Sequence, residues 1–448
     1  MPALQRGENM TNIIWRSHPA PSLSGTVRVP GDKSISHRAI MLGALADGTT
    51  HISGFLEGED CLATMRAFQA MGVAIEHHGE GRVTVHGAGL HGLRAPTAPL
   101  DVGNSGTSMR LMAGVLAGQP FASELIGDAS LMQRPMRRVT EPLELMGAEI
   151  ATSERGTAPL AIHGKPLHGI RYTLPVASAQ LKSALLFAGL YAEGTTFITE
   201  TGVSRDHSER MLRGFGVEVQ QDGATLAIRG GQRLTACDVV VPGDVSSAAF
   251  FLVAALIAPE GELLLENVGM NPTRAAVVEI LRAMGGDITV VNPREAGGEP
   301  VADLRVRASR LYGITIDEAL VPIAIDEFPI IFIAAACAEG ETRASALHEL
   351  RVKESDRLAV MTAGLRALGV DCGAGEDTMR IRGKAGTAFT GGQVASHGDH
   401  RIAMSFAVAA LRAAAPVEIL DCANVATSFP TFRALAQGVG MQIEENHA

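Results

Sequence analysis

Between Lys33 and Arg38 the chain reads KSISHR, which sets Lys33, Ser34, Ser36, His37 and Arg38 directly ahead of an apolar run. At a helix start, unpaired backbone N–H groups and the helix dipole favour negative charge, so a cationic, hydroxyl-rich entrance suits an anion. A nucleotide phosphate loop would need GxxxxGK[ST], and here Asp32 separates Gly31 from Lys33. Five comparable entrances follow: GNSGTS from Gly103, ASAQLKS from Ala177, GDVSSA from Gly243, IDEFPI from Ile325 and GDHRIA from Gly398. They bring Asn104 and Thr107; Ser178, Gln180 and Lys182; Asp326 and Glu327; His400 and Arg401. Two more basic segments, QRPMRR (133–138) and RVKESDR (351–357), lie outside the entrances. Any one of these has a plainer reading as a capped helix start, a turn or a solvated ion-pair face. Their recurrence at equivalent points of a repeat shifts the balance toward chemistry. Arginine takes up carboxylate or phosphate bidentately, lysine supplies a compact charge, and paired Asp and Glu can move protons. The pattern points to acid/base work on a multiply anionic substrate.

The elements that must position these residues also repeat. After most entrances comes a second helical pattern ending in glycine and followed by an alternating strand, as in RAFQAMGVAIE and EILRAMGGDITV. The glycines are Gly72, Gly147, Gly216, Gly285, Gly369 and Gly440, spaced by 75, 69, 69, 84 and 71 residues. Such spacing accommodates a strand-helix-strand-helix-strand unit, with each glycine in the left-handed position after a helix end. In RVKESDRLAVMTAGLRALG the apolar set Leu358, Met361, Leu365 and Leu368 has helical spacing. It predicts Lys353, Glu354 and Arg357 in the first turns, with Glu354 and Arg357 as neighbours. If the six units group into domains, their helix starts can face one shared cleft.

The bulk composition narrows the partners. A chain of 448 residues, 46% hydrophobic, suggests two or three domains with ample core. A formal charge of -10 and 4% aromatic residues leave neither a basic footprint nor stacking platforms, so no nucleic-acid partner is expected. Cys61, Cys237, Cys337, Cys372 and Cys422 lie far apart without a CxxC pair, which argues against zinc or a disulfide framework and for a reducing compartment. The apolar stretch from Ala248 to Pro259 is too short to span a bilayer, and no membrane segment is expected. The first 22 residues lack the apolar core of a signal peptide and read as a loose extension, with Met10 as an alternative start.

At this point the sequence resembles the 5-enolpyruvylshikimate-3-phosphate synthase family. The resemblance runs from LSGTVRVPGDKSISHRA through GNSGTSMR, GDASLMQRPM, ASAQLKSALL, SRDHSE, RVKESDR and HGDHRIAMSF to TSFP, covering the chain after about residue 22. It implies an α/β fold, a two-domain inside-out α/β barrel of six βαβαββ repeats, three per domain, with the active site in the interdomain cleft. The chain would cross twice, so that 1–31 plus 243–448 form one domain and 32–242 the inserted second. It also implies transfer of the enolpyruvyl group of phosphoenolpyruvate to the 5-hydroxyl of shikimate 3-phosphate, without metal or organic cofactor, in a cytoplasmic monomer.

Matched motif by motif, Lys33 would touch both substrates. Ser34, Arg38, Ser178, Gln180, Arg205, Asp326 and Lys353 would hold shikimate 3-phosphate, and Asn104, Gly106, Arg134, Gln180, Arg357 and Arg401 would hold phosphoenolpyruvate. The resemblance makes Asp326 the base on the attacking hydroxyl and Glu354 the acid at the methylene carbon, with Lys33 as the third catalytic group. Ser178-Ala179-Gln180 replaces the Ser-Ser-Gln of the better-known subgroup, and Thr427 stands where that subgroup has lysine. Both changes resemble the family's second subgroup. The absence of alanine at Gly106 implies sensitivity to glyphosate. The nearest rival, a UDP-N-acetylglucosamine enolpyruvyl transferase, typically carries a reactive cysteine where GDASLMQRP has none. A catalytically silent anion-binding protein is the rival from another class, and Asp326 and Glu354 weigh against it.

Overall fold

The computed structural model describes residues 13–386 and 388–447. The chain divides into two compact units, one drawn from 1–29, 243–293 and 302–448, the other from Pro30–Pro242 and Arg294–Val301. Each has its own apolar core.

Among the described residues the strands form six small sheets, three in each unit. One order recurs: a parallel pair, then two antiparallel neighbours. In the second unit Arg171–Thr173 runs parallel to Thr195–Thr199, which pairs antiparallel with Thr225–Arg229 and through it with Val219–Asp222. Leu100–Asp101, Ala122–Ile126, Leu160–His163 and Glu149–Ala151 repeat this order. So do Val239–Val240, Asp47–Ser53, Arg82–Ala88 and Ala74–Gly79, where the closing strand returns from the far end of the insert. In the first unit Ser22–Val27 runs parallel to Glu260–Gly269. The sheet of Gly340–Ala344, Met379–Gly383 and Asp371–Ala374 has its parallel partner reduced to two bridges, Tyr312 to Glu339 and Thr315 to Arg343. These are the six α/β repeats, three per unit, of the expected inside-out fold.

One expectation fails at the N-terminus. Ile13–His18 is no loose extension but a strand between Val417–Leu420 and Gln442–His447. Its Trp15 is buried and stacks on Phe432 with ring centroids 5.8 Å apart. Met10 as an alternative start lies outside the described residues.

The entrance helices are core elements. Val245–Ile257 is buried at every position, which is why it shows no polar face. The stretch Glu318–Cys337 is long and apolar enough to cross a membrane, yet it consists of short helical pieces packed largely inside the first unit. Helices Gly106–Ala117 and Ala179–Gly189 approach so closely that a Cβ on Gly114 would stand 2.1 Å from the Ala184 carbonyl oxygen. All six repeat glycines, from Gly72 to Gly440, have positive φ between 82° and 109° and end their helices as expected.

The helix starts are built alike in five repeats. Asp32, Ser105, Ser178, Asp244 and Asp399 each accept a hydrogen bond from a first-turn backbone N–H through their side chains. The fifth entrance differs. Ile325–Glu327 forms a 3-10 turn leading into Phe328–Cys337, and Glu327 makes no capping bond because its carboxylate accepts from the Ser246 hydroxyl instead. RVKESDR departs too: the helix begins at Arg357 with Asp356 as its cap, which leaves Lys353 and Glu354 in the preceding loop rather than in the first turns.

Candidate active site

In the second unit, three helix starts carry interlocked polar side chains. Lys33 opens the helix Lys33–Leu45, and its ammonium pairs with the buried Asp60 carboxylate. Arg38, one turn on, is 2% exposed; its Nε donates to Ser208 Oγ at 2.7 Å, one terminal nitrogen to Ser183 Oγ at 2.7 Å and the other to the Ser34 carbonyl at 2.9 Å. Burial lowers its pKa to about 10, against the pull of Glu209 and Asp32 and with help from the like charge of Arg205. At the next entrance Asn104 lies between Arg134, which donates to it at 2.7 Å, and Asp128, which accepts from it at 2.7 Å. Gln180 accepts from Arg110 at 2.7 Å and donates to Thr107 Oγ1 at 3.1 Å. Ser178 caps the third helix through Leu181 N. A Cβ on Gly106 would stand 2.9 Å from one Arg110 nitrogen and 3.3 Å from one Arg134 nitrogen. The φ there is not in the left-handed region, so a methyl group acts through crowding rather than backbone strain.

His37 ties the first two of these entrances together. Its fully buried ring contacts Thr64 Oγ1 at 2.8 Å and the hydroxyls of Ser105 and Ser108 at 3.4 Å. Burial first, then Lys33 and Arg38, push its pKa well below the ordinary value, with Asp32 opposing. A neutral imidazole can both donate and accept among three hydroxyl groups; an imidazolium cannot. The unfolded chain therefore takes up a proton below about pH 6.5 that the folded chain refuses, and stability falls with a slope of up to about 1.4 kcal/mol per pH unit as pH drops through that value. His37→Gln is expected to remove this component between about pH 6.5 and 5. Denaturant midpoints of parent and variant across that range check it; superimposable pH profiles would show that His37 is not the group.

In the first unit the polar cluster centres on Arg357, which is 1% exposed. Its Nε donates to Asp399 at 2.8 Å, one terminal nitrogen to Asp326 at 3.2 Å and the other to Glu354 at 2.5 Å. Burial works against its charge, but Asp399, Glu354 and Asp326 together outweigh it and raise its pKa above the ordinary guanidinium value. Lys353 Nζ also reaches Asp326 Oδ1, at 3.2 Å. Arg401, in the first turn of His400–Ala409, donates to the Asp326 carbonyl at 3.2 Å and lies 3.5 Å from the Glu327 carboxylate. Behind Glu327, Arg274 donates to Ser246 Oγ at 2.6 Å and Asp244 at 3.0 Å. Thr427 spends its hydroxyl on the Asn424 carbonyl at 2.7 Å inside a 3-10 turn.

The sequence-derived residues thus fall into two groups. Lys33, Ser34, Arg38, Asn104, Gly106, Arg134, Ser178, Gln180 and Arg205 belong to the second unit, and Asp326, Lys353, Glu354, Arg357 and Arg401 to the first. Sequence reasoning missed Asp60, Arg110, Ser208 and Asp399, whose roles depend on contacts with distant segments. Asp399 alone carried a local signal, since it stands before its helix as Asp32 and Asp244 stand before theirs.

The EPSP synthase (3-phosphoshikimate 1-carboxyvinyltransferase) family profile matches residues 18–435. A 3-phosphoshikimate 1-carboxyvinyltransferase of Halorhodospira halophila is 64% identical over 98% of this chain and 97% of its own. That of Methylococcus capsulatus is 60% identical over 97% and 99%. An EPSP synthase structure from Acinetobacter baumannii superposes with a TM-score of 0.89 at 53% identity, covering 98% of this chain and all of the other. An enolpyruvyl transferase from Streptomyces tendae, at 17% identity and a TM-score of 0.79, shares the fold. With its repeats and its relatives in accord over nearly its whole length, the chain belongs to the EPSP synthase family.

Proposed function

We propose that the polar clusters of both units serve one reaction, the transfer of the enolpyruvyl group of phosphoenolpyruvate to the 5-hydroxyl of shikimate 3-phosphate with release of phosphate. The observation that carries this reading is the Arg357 hub, where one buried guanidinium holds the two candidate acid/base carboxylates, Asp326 and Glu354, against a third, Asp399. Two carboxylates at such a hub weigh against a catalytically silent anion-binding protein. Lys33, Ser34, Arg38, Ser178, Gln180, Arg205, Asp326 and Lys353 bind shikimate 3-phosphate, and Lys33, Asn104, Gly106, Arg134, Gln180, Arg357 and Arg401 bind phosphoenolpyruvate. The protein works as a cytoplasmic monomer.

Chemically, Glu354 gives a proton to the methylene carbon of phosphoenolpyruvate, which leaves cationic character on the adjacent carbon. The 5-hydroxyl attacks that carbon while Asp326 takes its proton, forming a C–O bond and a tetrahedral intermediate. Glu354 then removes a proton from the new methyl group, the C–O bond to phosphate breaks as the departing phosphate takes the proton held by Asp326, and the enol ether forms. Lys33 and the arginines keep phosphate and carboxylate in place as charge moves, and this preorganised field supplies most of the acceleration. A phosphate-release assay tests the reading: release requires both substrates together, and release with either alone, or none with both, rejects it.

The same assignment predicts the effect of Gly106→Ala. The added methyl group crowds the Arg110 and Arg134 guanidinium groups, and beside bound substrate it crowds an inhibitor longer than phosphoenolpyruvate more than phosphoenolpyruvate itself. A contact of one methyl is worth roughly 1–3 kcal/mol, so the inhibitory concentration of glyphosate rises at least about fivefold, with a smaller rise in KM for phosphoenolpyruvate. Steady-state inhibition of parent and variant measures both. Equal inhibition of the two proteins would remove Gly106 from the pocket.

A further inference from the structure

Lys182 is wholly buried, yet nothing in the proposed reaction uses it. From the helix Ala179–Gly189 its ammonium contacts Glu209 at 2.7 Å and Glu200 at 3.0 Å. These carboxylates flank a single loop. Glu200 follows the strand Thr195–Thr199, Glu209 lies in the helix His207–Gly214, and Arg205 sits between them. Inside the loop Ser204 Oγ donates to the same Glu200 oxygen at 2.6 Å. At the loop's far end Ser208 is bonded to both Arg38 and Ser183. Arg205 is near enough to Arg38 for the two like charges to oppose each other. Lys182 reaches the loop from outside that pair, through Glu200 before Arg205 and Glu209 after it.

We infer that Lys182, through Glu200 and Ser204, is a positioning residue that holds Arg205 beside Arg38 and so presets the binding of the phosphate of shikimate 3-phosphate. This rests on the assignment of Arg205 to that substrate. One buried ammonium closes the loop at both ends, and the Ser204 hydroxyl transmits the anchor to the residue next to Arg205. Removing the hydroxyl breaks a single hydrogen bond and leaves Lys182 paired with both carboxylates.

The test is a double-mutant cycle on the purified full-length enzyme, reading KM for shikimate 3-phosphate at saturating phosphoenolpyruvate. Ser204→Ala is expected to raise KM by roughly three- to tenfold with kcat changed less than about twofold, as fits one lost hydrogen bond. Ser204→Thr restores it. In an Arg205→Ala background Ser204→Ala adds less than about twofold, because its effect passes through Arg205. Lys182→Met, where it folds, raises KM at least as much as Ser204→Ala. An unchanged KM in Ser204→Ala, or the same increase in both backgrounds, overturns the inference while the site assignment stands. Should Arg205→Ala itself leave KM unchanged, the assignment fails and the inference with it.

Discussion

Asp326→Asn and Glu354→Gln are each expected to lower kcat by about 10²- to 10⁴-fold while changing substrate affinity only a few-fold, the range for loss of a general acid or base. Each replacement keeps the shape of the side chain and removes its capacity to exchange a proton at neutral pH. The structure makes the experiment interpretable, because Arg357 retains two of its three carboxylates in either variant. Asp326 also gathers Lys353, so Asp326→Asn should cost some shikimate 3-phosphate affinity as well. Steady-state kinetics with both substrates varied separates the two effects. Losses below tenfold at both positions would take the carboxylates out of the mechanism.

Arg357 offers the second large effect, and a different one. Arg357→Met leaves Asp399, which is wholly buried, without its cation, and breaking a buried pair in this way costs about 3–5 kcal/mol of stability. Arg357→Lys keeps a charge but not the fork that reaches three carboxylates at once. It is expected to fold, to lose at least about 10²-fold in kcat/KM for phosphoenolpyruvate and to lose much less for shikimate 3-phosphate. Denaturant unfolding and kinetics of the two variants check this. A lysine variant within tenfold of the parent would show that a point charge suffices there and that the fork has no role.

The repeat architecture was legible because its signals are local. A glycine forced to positive φ at a helix end, or a short polar residue capping a helix start, acts within a few residues, and Gly72 and Asp32 are typical cases. The fifth entrance and RVKESDR misled for the opposite reason. At Glu327 a bond to the distant Ser246 replaces the cap, and at Glu354 the loop geometry follows Arg357, whose side chain reaches Asp399, 42 residues on. Ile13–His18 was missed because six residues carry too little pattern; their strand partners lie 400 or more residues away. Motif matching named the candidate ligands but did not single out Arg110 or Asp60, whose contacts are with Gln180 and Lys33.

The central claim is an addition followed by an elimination, with Glu354 carrying the proton to and from the methylene carbon. Turnover in D₂O tests it most directly, with the enolpyruvyl methylene of the product analysed by proton NMR. The mechanism predicts deuterium in that methylene, since the intermediate's methyl group holds one solvent-derived deuteron and loses either isotope on elimination. Glu354→Gln should suppress product formation and isotope uptake together. A product whose methylene carries only protium, formed at the normal rate, would contradict it.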